Sequence, residues 1–156
     1  MIRDCMKREV VSVSASTTVR EAALLVAKRR VGTLPVVDQQ GVLVGVVRIK
    51  DLLKVFMPDF VTLLDNIDFV HDFGVEESLR PKDVAEAARL TMRDLMRPPV
   101  AVEQTSGLLR AFATMDKHDI QDLPVVDDGG RLVGIASRVD IAVAFLTAWT
   151  AEEPSA

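Results

Sequence analysis

The chain of 156 residues is poor in several residue types on which common protein functions depend. It contains no tyrosine, one tryptophan and one cysteine, Cys5, so no intramolecular disulfide can form. A lone cysteine is typical of a reducing compartment, and we expect a cytoplasmic protein. No apolar run reaches the roughly 18 residues needed to span a bilayer. Asp4 and Glu9 lie where a signal peptide needs its apolar core, so we expect no secretory leader.

Positive charge and catalytic groups are scarce as well. The 19 Lys and Arg residues against 23 Asp and Glu give a net charge of −4. This balance argues against general nucleic-acid binding, because such binding depends on basic side chains that neutralise phosphates. The sequence has no glycine-rich phosphate loop and no nucleophile beside a candidate base, so we expect a binding module and no enzyme.

The two histidines offer little for metal binding. His118 stands apart from His71, and three aspartates lie near His71 in the sequence: Asp65, Asp68 and Asp72. One imidazole among scattered carboxylates more often forms a solvated acidic face than a metal site. We therefore expect no metal and no required cofactor.

An internal duplication dominates what is present. Residues 34–53 read LPVVDQQGVLVGVVRIKDLL and residues 123–142 read LPVVDDGGRLVGIASRVDIA, which is 10 identities in 20 positions at an offset of 89 residues. Hydrophobic residues make up 49% of the chain and aromatics only 4%, so any core is built from Val, Leu, Ile and Ala. A chain of this length suits two small repeats that share one core.

Each copy predicts the same order of elements. Helical apolar spacing follows Val19 and Leu108, and Thr18 with Glu21 forms a capping box that the second copy replaces with Gly107. Short β-branched segments precede the helices at 10–13 and 100–102. Hairpins follow at 34–47 and 123–136, where Asp and Gly suit the turn, and a last helix starts near Asp51 or Asp140. The predicted class is α+β, with two strand-helix-strand-strand-helix units related by a pseudo-twofold axis.

The duplication leaves a segment between the copies unexplained. Apolar residues in it again have helical spacing: Phe60, Leu63, Leu64 and Ile67. A connection this long should carry its own secondary structure, so we expect a helical insert. The predicted division is repeat 1 at 1–56, insert at 57–91, repeat 2 at 92–147 and a tail at 148–156.

The repeated unit resembles the cystathionine beta-synthase (CBS) domain. The resemblance rests on the DCM or DLM start, the amphipathic helix, LPVVD, the turn, GVLVGVV or GRLVGIA, and the late aspartate, all present twice. It implies a CBS pair, or Bateman module: a regulatory unit that binds an adenosine compound between its repeats. Candidate ligands are AMP, ADP, ATP and S-adenosylmethionine, and the information would pass to a partner protein. It also implies a homodimer, with Trp149 as a subunit anchor.

The resemblance further implies which residues bind the ligand. In the family pattern, Ser or Thr ends a strand near the first phosphate, and an Asp three residues later accepts hydrogen bonds from the ribose hydroxyls. Ser137 and Asp140 match this pattern, whereas Arg48 replaces the hydroxyl residue beside Asp51. The adenine walls would be Val102, Leu123 and Pro124 at the primary site, and Val13, Leu34 and Pro35 at the second, altered site. The usual basic pair is replaced by Gln121–Asp122 and Gly32–Thr33, and Asp122 favours AMP over ATP at the primary site.

Alternatives stand beside this interpretation. Ser137 and Asp140 also form a capping-box pattern that needs no ligand. Arg48 either fills its cleft by pairing with Asp51 or points at a ligand phosphate. The alternative function is a structural or dimerisation module whose clefts no longer bind anything.

Overall fold

The computed structural model describes residues 1–56 and 84–151. The first repeat contains α1 (Val19–Arg29), β1 (Thr33–Val37), β2 (Leu43–Arg48) and α2 (Ile49–Leu53). The short helices α3 (Val84–Ala87) and α4 (Met92–Leu95) precede the second repeat. That repeat contains β3 (Val102–Glu103), α5 (Leu108–Lys117), β4 (Asp122–Val126), β5 (Leu132–Ser137) and α6 (Arg138–Ala151). A 3₁₀ turn at Ile2–Asp4 opens the chain.

The predicted α+β class and the doubled unit are confirmed. Both hairpins, β1–β2 and β4–β5, are antiparallel and have equivalent register, with an irregularity at the same place in each. The first strand is shorter than predicted: it is a single parallel bridge from Val13 to Val36 in repeat 1, and only β3 in repeat 2. Of the predicted insert, residues 57–83 lie outside the described residues. No helix in the described ranges has both the length and the apolarity to cross a membrane.

Local sequence explains where α1 and the hairpins begin and turn. The Glu21 backbone N–H donates to Thr18 Oγ1 at 3.2 Å, and the Thr18 N–H donates to the Glu21 carboxylate at 2.8 Å, which confirms the predicted capping box. Helix α5 begins after Gly107 without a side-chain cap. In the hairpin turns, Asp38 and Asp127 each accept hydrogen bonds from two backbone N–H groups further along the turn. These bonds explain the aspartate that both copies share.

Two hydrophobic cores form, and each contains a segment from the other half of the chain. Ile2 and Met6, from the start of the chain, are buried in the core of the second repeat with Met115 and Ile141. Met92, which precedes the second repeat, is buried in the core of the first with the residues Val13, Val19, Ala22, Leu34, Val36, Val47 and Leu52. Each repeat therefore completes its core with the segment that precedes its partner.

The crossing segments also pair with the strands they reach. The Lys7 N–H donates to the Ile135 carbonyl at 2.8 Å, and the Arg97 N–H donates to the Val46 carbonyl at 2.9 Å. Lys7 and Arg97 follow the Met of the DCM and DLM motifs, respectively, at the same interval. The crossing is thus reciprocal, and neither repeat forms its described core from its own residues alone.

A pseudo-twofold axis passes between equivalent residues of the two repeats. Thr33 and Asp122 occupy the same position in the two copies, and the Thr33 hydroxyl donates to Asp122 Oδ2 at 2.9 Å. Val42 and Arg131 are likewise equivalent and form an antiparallel bridge. Two equivalent residues of the repeats contact each other only at the axis that relates the repeats. These two contacts therefore locate the pseudo-twofold axis.

Two equivalent glycines allow the crossing segments to approach. A Cβ placed on Gly45 would lie 2.7 Å from Met96 Sδ, and one on Gly134 would overlap Met6 Sδ. The Gly134 Cβ would also lie 3.1 Å from the Lys7 carbonyl oxygen, which belongs to the backbone. Glycine is therefore required where each methionine crosses onto the opposite sheet.

Gly134→Ala should destabilise the fold by about 1–3 kcal/mol, because the added methyl group displaces Met6 and presses on the Lys7 backbone. Urea unfolding followed by circular dichroism measures this change. Gly107→Ser is the matched control: its added Cβ meets nothing within 4 Å, and its hydroxyl can cap α5, so stability should stay equal or rise slightly. Equal stability of Gly134→Ala and the wild type would contradict the close approach.

Candidate functional site

A cleft of ≈ 200 Å³ lies between the two repeats. Repeat 1 contributes residues of β1 and β2. The crossing segment after α4 contributes residues 97, 98 and 100, and repeat 2 contributes residues from the end of α5 to β4. The lining residues are Thr33, Val46, Arg48, Arg97, Pro98, Val100, His118, Ile120, Gln121, Asp122 and Pro124.

The cleft is lined by both apolar and charged residues. The apolar side chains are Val46, Pro98, Val100, Ile120 and Pro124. The charged groups are the guanidinium groups of Arg48 and Arg97 and the carboxylate of Asp122, with the His118 imidazole nearby in the lining. Apolar surface with a few oriented polar groups is the usual composition of a small-molecule site.

Asp51 contacts both arginines of the cleft lining, and both of its carboxylate oxygens accept hydrogen bonds. Arg97 donates to Oδ1 from Nε at 3.0 Å and from NH2 at 2.8 Å, and the Arg48 backbone N–H donates to Oδ2 at 3.1 Å. The Arg48 side chain is 3.7 Å from the same Oδ2. Burial by itself raises the pKa of Asp51, but the bonds from Arg97 and Arg48 outweigh it and hold the pKa below its ordinary value. Asp51 is therefore a buried carboxylate in its charged form.

Asp140 occupies the equivalent position in the second repeat, with different neighbours. Ser137 donates to Asp140 Oδ2 from its backbone N–H at 2.8 Å and from its hydroxyl at 2.7 Å. Lys7 is 3.7 Å from the same oxygen. Within residues 1–56 and 84–151, Asp140 Oδ1 accepts no hydrogen bond. Burial by itself raises the pKa of Asp140. The bonds from Ser137 and the charge of Lys7 lower this pKa by more, so the net pKa is below the ordinary value.

The capping-box interpretation of the Ser137–Asp140 pair is realised in the structure. The Asp140 N–H donates to Ser137 Oγ at 3.1 Å, which makes the contact reciprocal. This cap uses only one oxygen of Asp140, so capping and ligand binding do not exclude each other. In the first repeat Arg48 cannot accept such a bond, because a guanidinium carries donors only.

The structure groups the predicted residues differently from the sequence pattern. Pro124 and Arg48, which the sequence assigned to separate sites, line one cleft, whereas Ser137 and Asp140 do not line it. The reason is the pseudo-twofold axis, which sets β4 of one repeat opposite the end of β2 of the other.

The other predicted adenine-wall residues lie in the cores. Val13 and Leu34 are buried in the first core, and Val102 and Leu123 in the second. Successive side chains of a strand point to opposite faces of the sheet. Leu34 and Leu123 therefore point into the cores, while the prolines that follow them lie on the other face. Their predicted contact with a ligand stays a prediction.

Sequence reasoning missed the contribution of Arg97. The residue lies outside the hairpin that carries the repeat motif, and only the fold brings it to Asp51, 46 residues earlier. One signal was available: Lys7 and Arg97 follow the Met of DCM and DLM, so both copies place a cation at this point. Two other basic residues lie shortly before the Leu-Pro-Val-Val strands: His118 lines the cleft, while Arg29 pairs with Glu9 at 3.0 Å.

Comparison with known proteins decides the family. The sequence profile of the CBS domain matches residues 2–58 and 92–147. The chain belongs to the CBS domain family. This finding confirms the resemblance drawn from the repeated motifs, and the two matches make the chain a CBS pair.

Similar proteins extend over nearly the whole chain. MJ1426 from Methanocaldococcus jannaschii is 29% identical over 154 residues, which covers 94% of this chain and 91% of that protein. The crystal structure of the CBS-pair protein CBSX2 from Arabidopsis thaliana has a TM-score of 0.74 at 29% identity and covers 96% of both chains. A crystal structure of CBSX2 in complex with AMP has a TM-score of 0.68 at 30% identity and covers 95% of this chain and 97% of the other.

Other relatives contain this unit as a small part. The chain spans 23% of the homoserine O-acetyltransferase of Methanocorpusculum labreanum at 26% identity. A CBS pair therefore occurs in proteins of differing overall activity, and the resemblance to the pair alone carries none of those activities over.

Metal ligands do not cluster in the described part of the chain. Within residues 1–56 and 84–151 no group of three His, Cys, Asp or Glu side chains could hold a metal ion. His71 and its neighbouring aspartates lie outside these ranges.

Asp51→Asn should lower the unfolding free energy by about 1–2 kcal/mol near neutral pH, because it removes a charged acceptor from Arg97. The pKa of Asp51 is depressed in the folded state, so its charge stabilises the fold above the ordinary value of 3.8. That contribution is lost as the pH falls through the folded-state pKa. The stability difference between wild type and Asp51→Asn should therefore shrink towards zero below pH 3.8.

Urea unfolding over a pH series measures this difference. Asp128→Asn is the control, since Asp128 is an exposed turn residue, and it should match the wild type at every pH. A difference between wild type and Asp51→Asn that stays constant with pH would show that the Asp51 charge is not the stabilising factor.

Proposed function

We propose that this CBS pair is a regulatory module that binds an adenosine-containing ligand between its repeats, with no catalytic activity of its own. The observation that carries the proposal is the inter-repeat cleft, whose lining combines apolar side chains with two arginines. An adenine ring suits the apolar side chains, and a phosphate suits the arginines. The crystal structure of CBSX2 with AMP, at 30% identity, supports the same ligand class.

The two halves of the module offer unequal ribose acceptors. Asp140 keeps one carboxylate oxygen without a hydrogen bond in the described part of the chain, and the Ser137 hydroxyl lies beside it. Asp51 has no such oxygen, because Arg97 and Arg48 take both. We therefore keep Ser137 and Asp140 as the primary site and Asp51 with Arg48 as the second site. Pro35 would border the primary site, and Pro124 the second.

A single phosphate suits the module better than three. The volume of ≈ 200 Å³ is below the roughly 300 Å³ at which typical small-molecule pockets begin, so a large ligand must open the cleft. Asp122 adds a negative charge at the pseudo-twofold axis, where its carboxylate accepts from Thr33. Both features favour AMP over ADP and ATP.

A regulatory module acts when ligand binding changes how it interacts with a second molecule. We propose that a bound nucleotide changes the relative orientation of the two repeats and that a partner protein responds to this change. The occupied oxygens of Asp51 and the small cleft favour the alternative function, a structural module with non-binding clefts. The two functions differ in whether any adenosine compound binds.

A thermal-shift series with AMP, ADP, ATP and S-adenosylmethionine tests the proposal. AMP at a hundred times its dissociation constant should stabilise the fold by about 2.7 kcal/mol, or a Tm rise on the order of 5 °C. Asp140→Ala should lose most of the AMP shift because it removes the ribose acceptor. Asp51→Ala should keep most of it.

Asp94→Ala is the matched control for Asp140→Ala. Asp94 also accepts from a backbone N–H at a helix start, that of Thr91 at 2.8 Å, but it belongs to neither proposed site. Each variant is compared with its own unliganded Tm. Loss of the AMP shift in Asp51→Ala instead of Asp140→Ala would reverse the site assignment. No shift with any of the four compounds at millimolar concentration would leave the structural module as the function.

We also propose that the module is a homodimer. Helix α6 exposes a stripe of apolar side chains on the side away from its core residue Ile141. The stripe contains Val139 (68% exposed), Val143 (54%), Leu146 (58%) and, at its edge, Trp149 (72%). A second copy that presents the same stripe would cover both, as in a twofold contact.

Trp149→Glu should shift the chain towards the monomer, because it places a charge in the proposed contact. Light scattering should give about twice the chain mass for the wild type and close to 17.1 kDa for the variant. Ala148→Glu is the control: Ala148 is exposed and lies seven residues, about two turns, after Ile141, on the side of α6 away from the stripe, so this variant should remain a dimer. A monomeric wild type at micromolar concentration would refute the dimer.

A further inference from the structure

Arg97 occupies the position that a ribose would need on the first-repeat carboxylate. Its Nε and NH2 groups both donate to Asp51 Oδ1, at 3.0 and 2.8 Å, while the Arg48 N–H takes Oδ2. The Asp51 side chain is only 6% exposed, so it has little access to other donors. A ribose can reach this carboxylate only if Arg97 leaves it.

Two vicinal ribose hydroxyls would replace Arg97 one for one. Arg97 supplies two N–H donors to a single oxygen, and a ribose supplies two O–H donors to the same acceptor. The carboxylate thus stays satisfied after the exchange. The guanidinium does not, because it loses its ion-pair partner and has to find another anion.

The cleft lining contains one carboxylate among the described residues. This is Asp122, which accepts from the Thr33 hydroxyl on the pseudo-twofold axis and forms no ion pair with Arg97 in the described structure. The Arg97 side chain is 48% exposed and lines the cleft, so it can turn from Asp51 towards a ligand without leaving the site. A phosphate accepts two parallel N–H bonds from a guanidinium and replaces the lost partner.

We propose that Arg97 is a specificity-determining residue: it blocks Asp51 until a ligand phosphate draws its guanidinium away, so the first-repeat cleft selects anionic adenosine ligands over uncharged ones. The proposal rests on the proposed function and adds to it the class of ligand that this cleft accepts. Adenosine offers the ribose but no anion, and its binding breaks the Arg97–Asp51 ion pair without replacing it. AMP offers both.

The equivalent cation in the other half provides an internal comparison. Lys7 corresponds to Arg97 and reaches Asp140 at 3.7 Å, with 65% of its side chain exposed. It contacts Oδ2, the oxygen that Ser137 already binds, and leaves Oδ1 open in the described structure. Lys7 therefore does not block its carboxylate. Lys7→Met is the matched control for Arg97→Met.

The test compares AMP and adenosine as ligands of the full chain by NMR titration. Backbone amide signals of His118 and Ile120, which line this cleft, report its own dissociation constants separately from those of the Asp140 site. In the wild type, AMP should bind this cleft about tenfold or more tightly than adenosine. In Arg97→Met the preference should fall to about threefold or less, chiefly because adenosine binds more tightly once Asp51 is open.

Three further variants secure the result. Arg97→Lys keeps the charge and should keep most of the AMP preference. Arg97→Gln removes the charge and tests the proposal if Arg97→Met does not fold. Lys7→Met should leave the preference in this cleft unchanged. If wild type binds adenosine and AMP here with equal affinity, or if the neutral Arg97 variants leave the affinity for adenosine unchanged, the assignment of Arg97 is wrong and the proposed function stands. If no adenosine compound binds at either site, both fail.

Discussion

The reciprocal crossing of two short segments is the constraint on which the rest of the structure depends. Met6 lies on Gly134 of the second repeat and Met96 on Gly45 of the first, with no room for a Cβ at either glycine. Since a half of about 55 residues buries too little surface to fold well alone, the exchange of segments lets each half complete its core with residues from the other. The same crossing carries Lys7 and Arg97 to the carboxylates of the opposite repeats. Packing and site chemistry therefore have one origin.

A symmetric scaffold carries two chemically different halves. The hairpins, their turns and the crossing contacts repeat with equivalent geometry. The strand ends do not, since Arg48 stands where Ser137 stands in the other copy. The serine completes a cap that leaves one oxygen of Asp140 open, whereas Arg48 and Arg97 close both oxygens of Asp51. Substitutions at a few positions thus distinguish two strand ends that the backbone makes equivalent.

Local signals made most of the fold predictable. The capping box at Thr18, the Asp and Gly of the turns, and the helical spacing after Val19 and Leu108 each act within a few residues, where sequence alone is informative. The matching repeats added the class and the family. The grouping of Pro124 with Arg48 was not predictable in the same way, because it depends on which repeat faces which across the axis. The role of Arg97 depends on a contact across 46 residues, which no local pattern contains.

The hydrogen bond from Thr33 to Asp122 joins two equivalent residues across the pseudo-twofold axis. This bond has one partner in each half, so a shift in its geometry involves a residue of both halves. Occupancy of one half that alters this bond changes the free energy of occupying the other, and thermodynamic linkage makes that coupling the same in both directions. The two halves of this module differ in chemistry, but the free energy of this one hydrogen bond belongs to both.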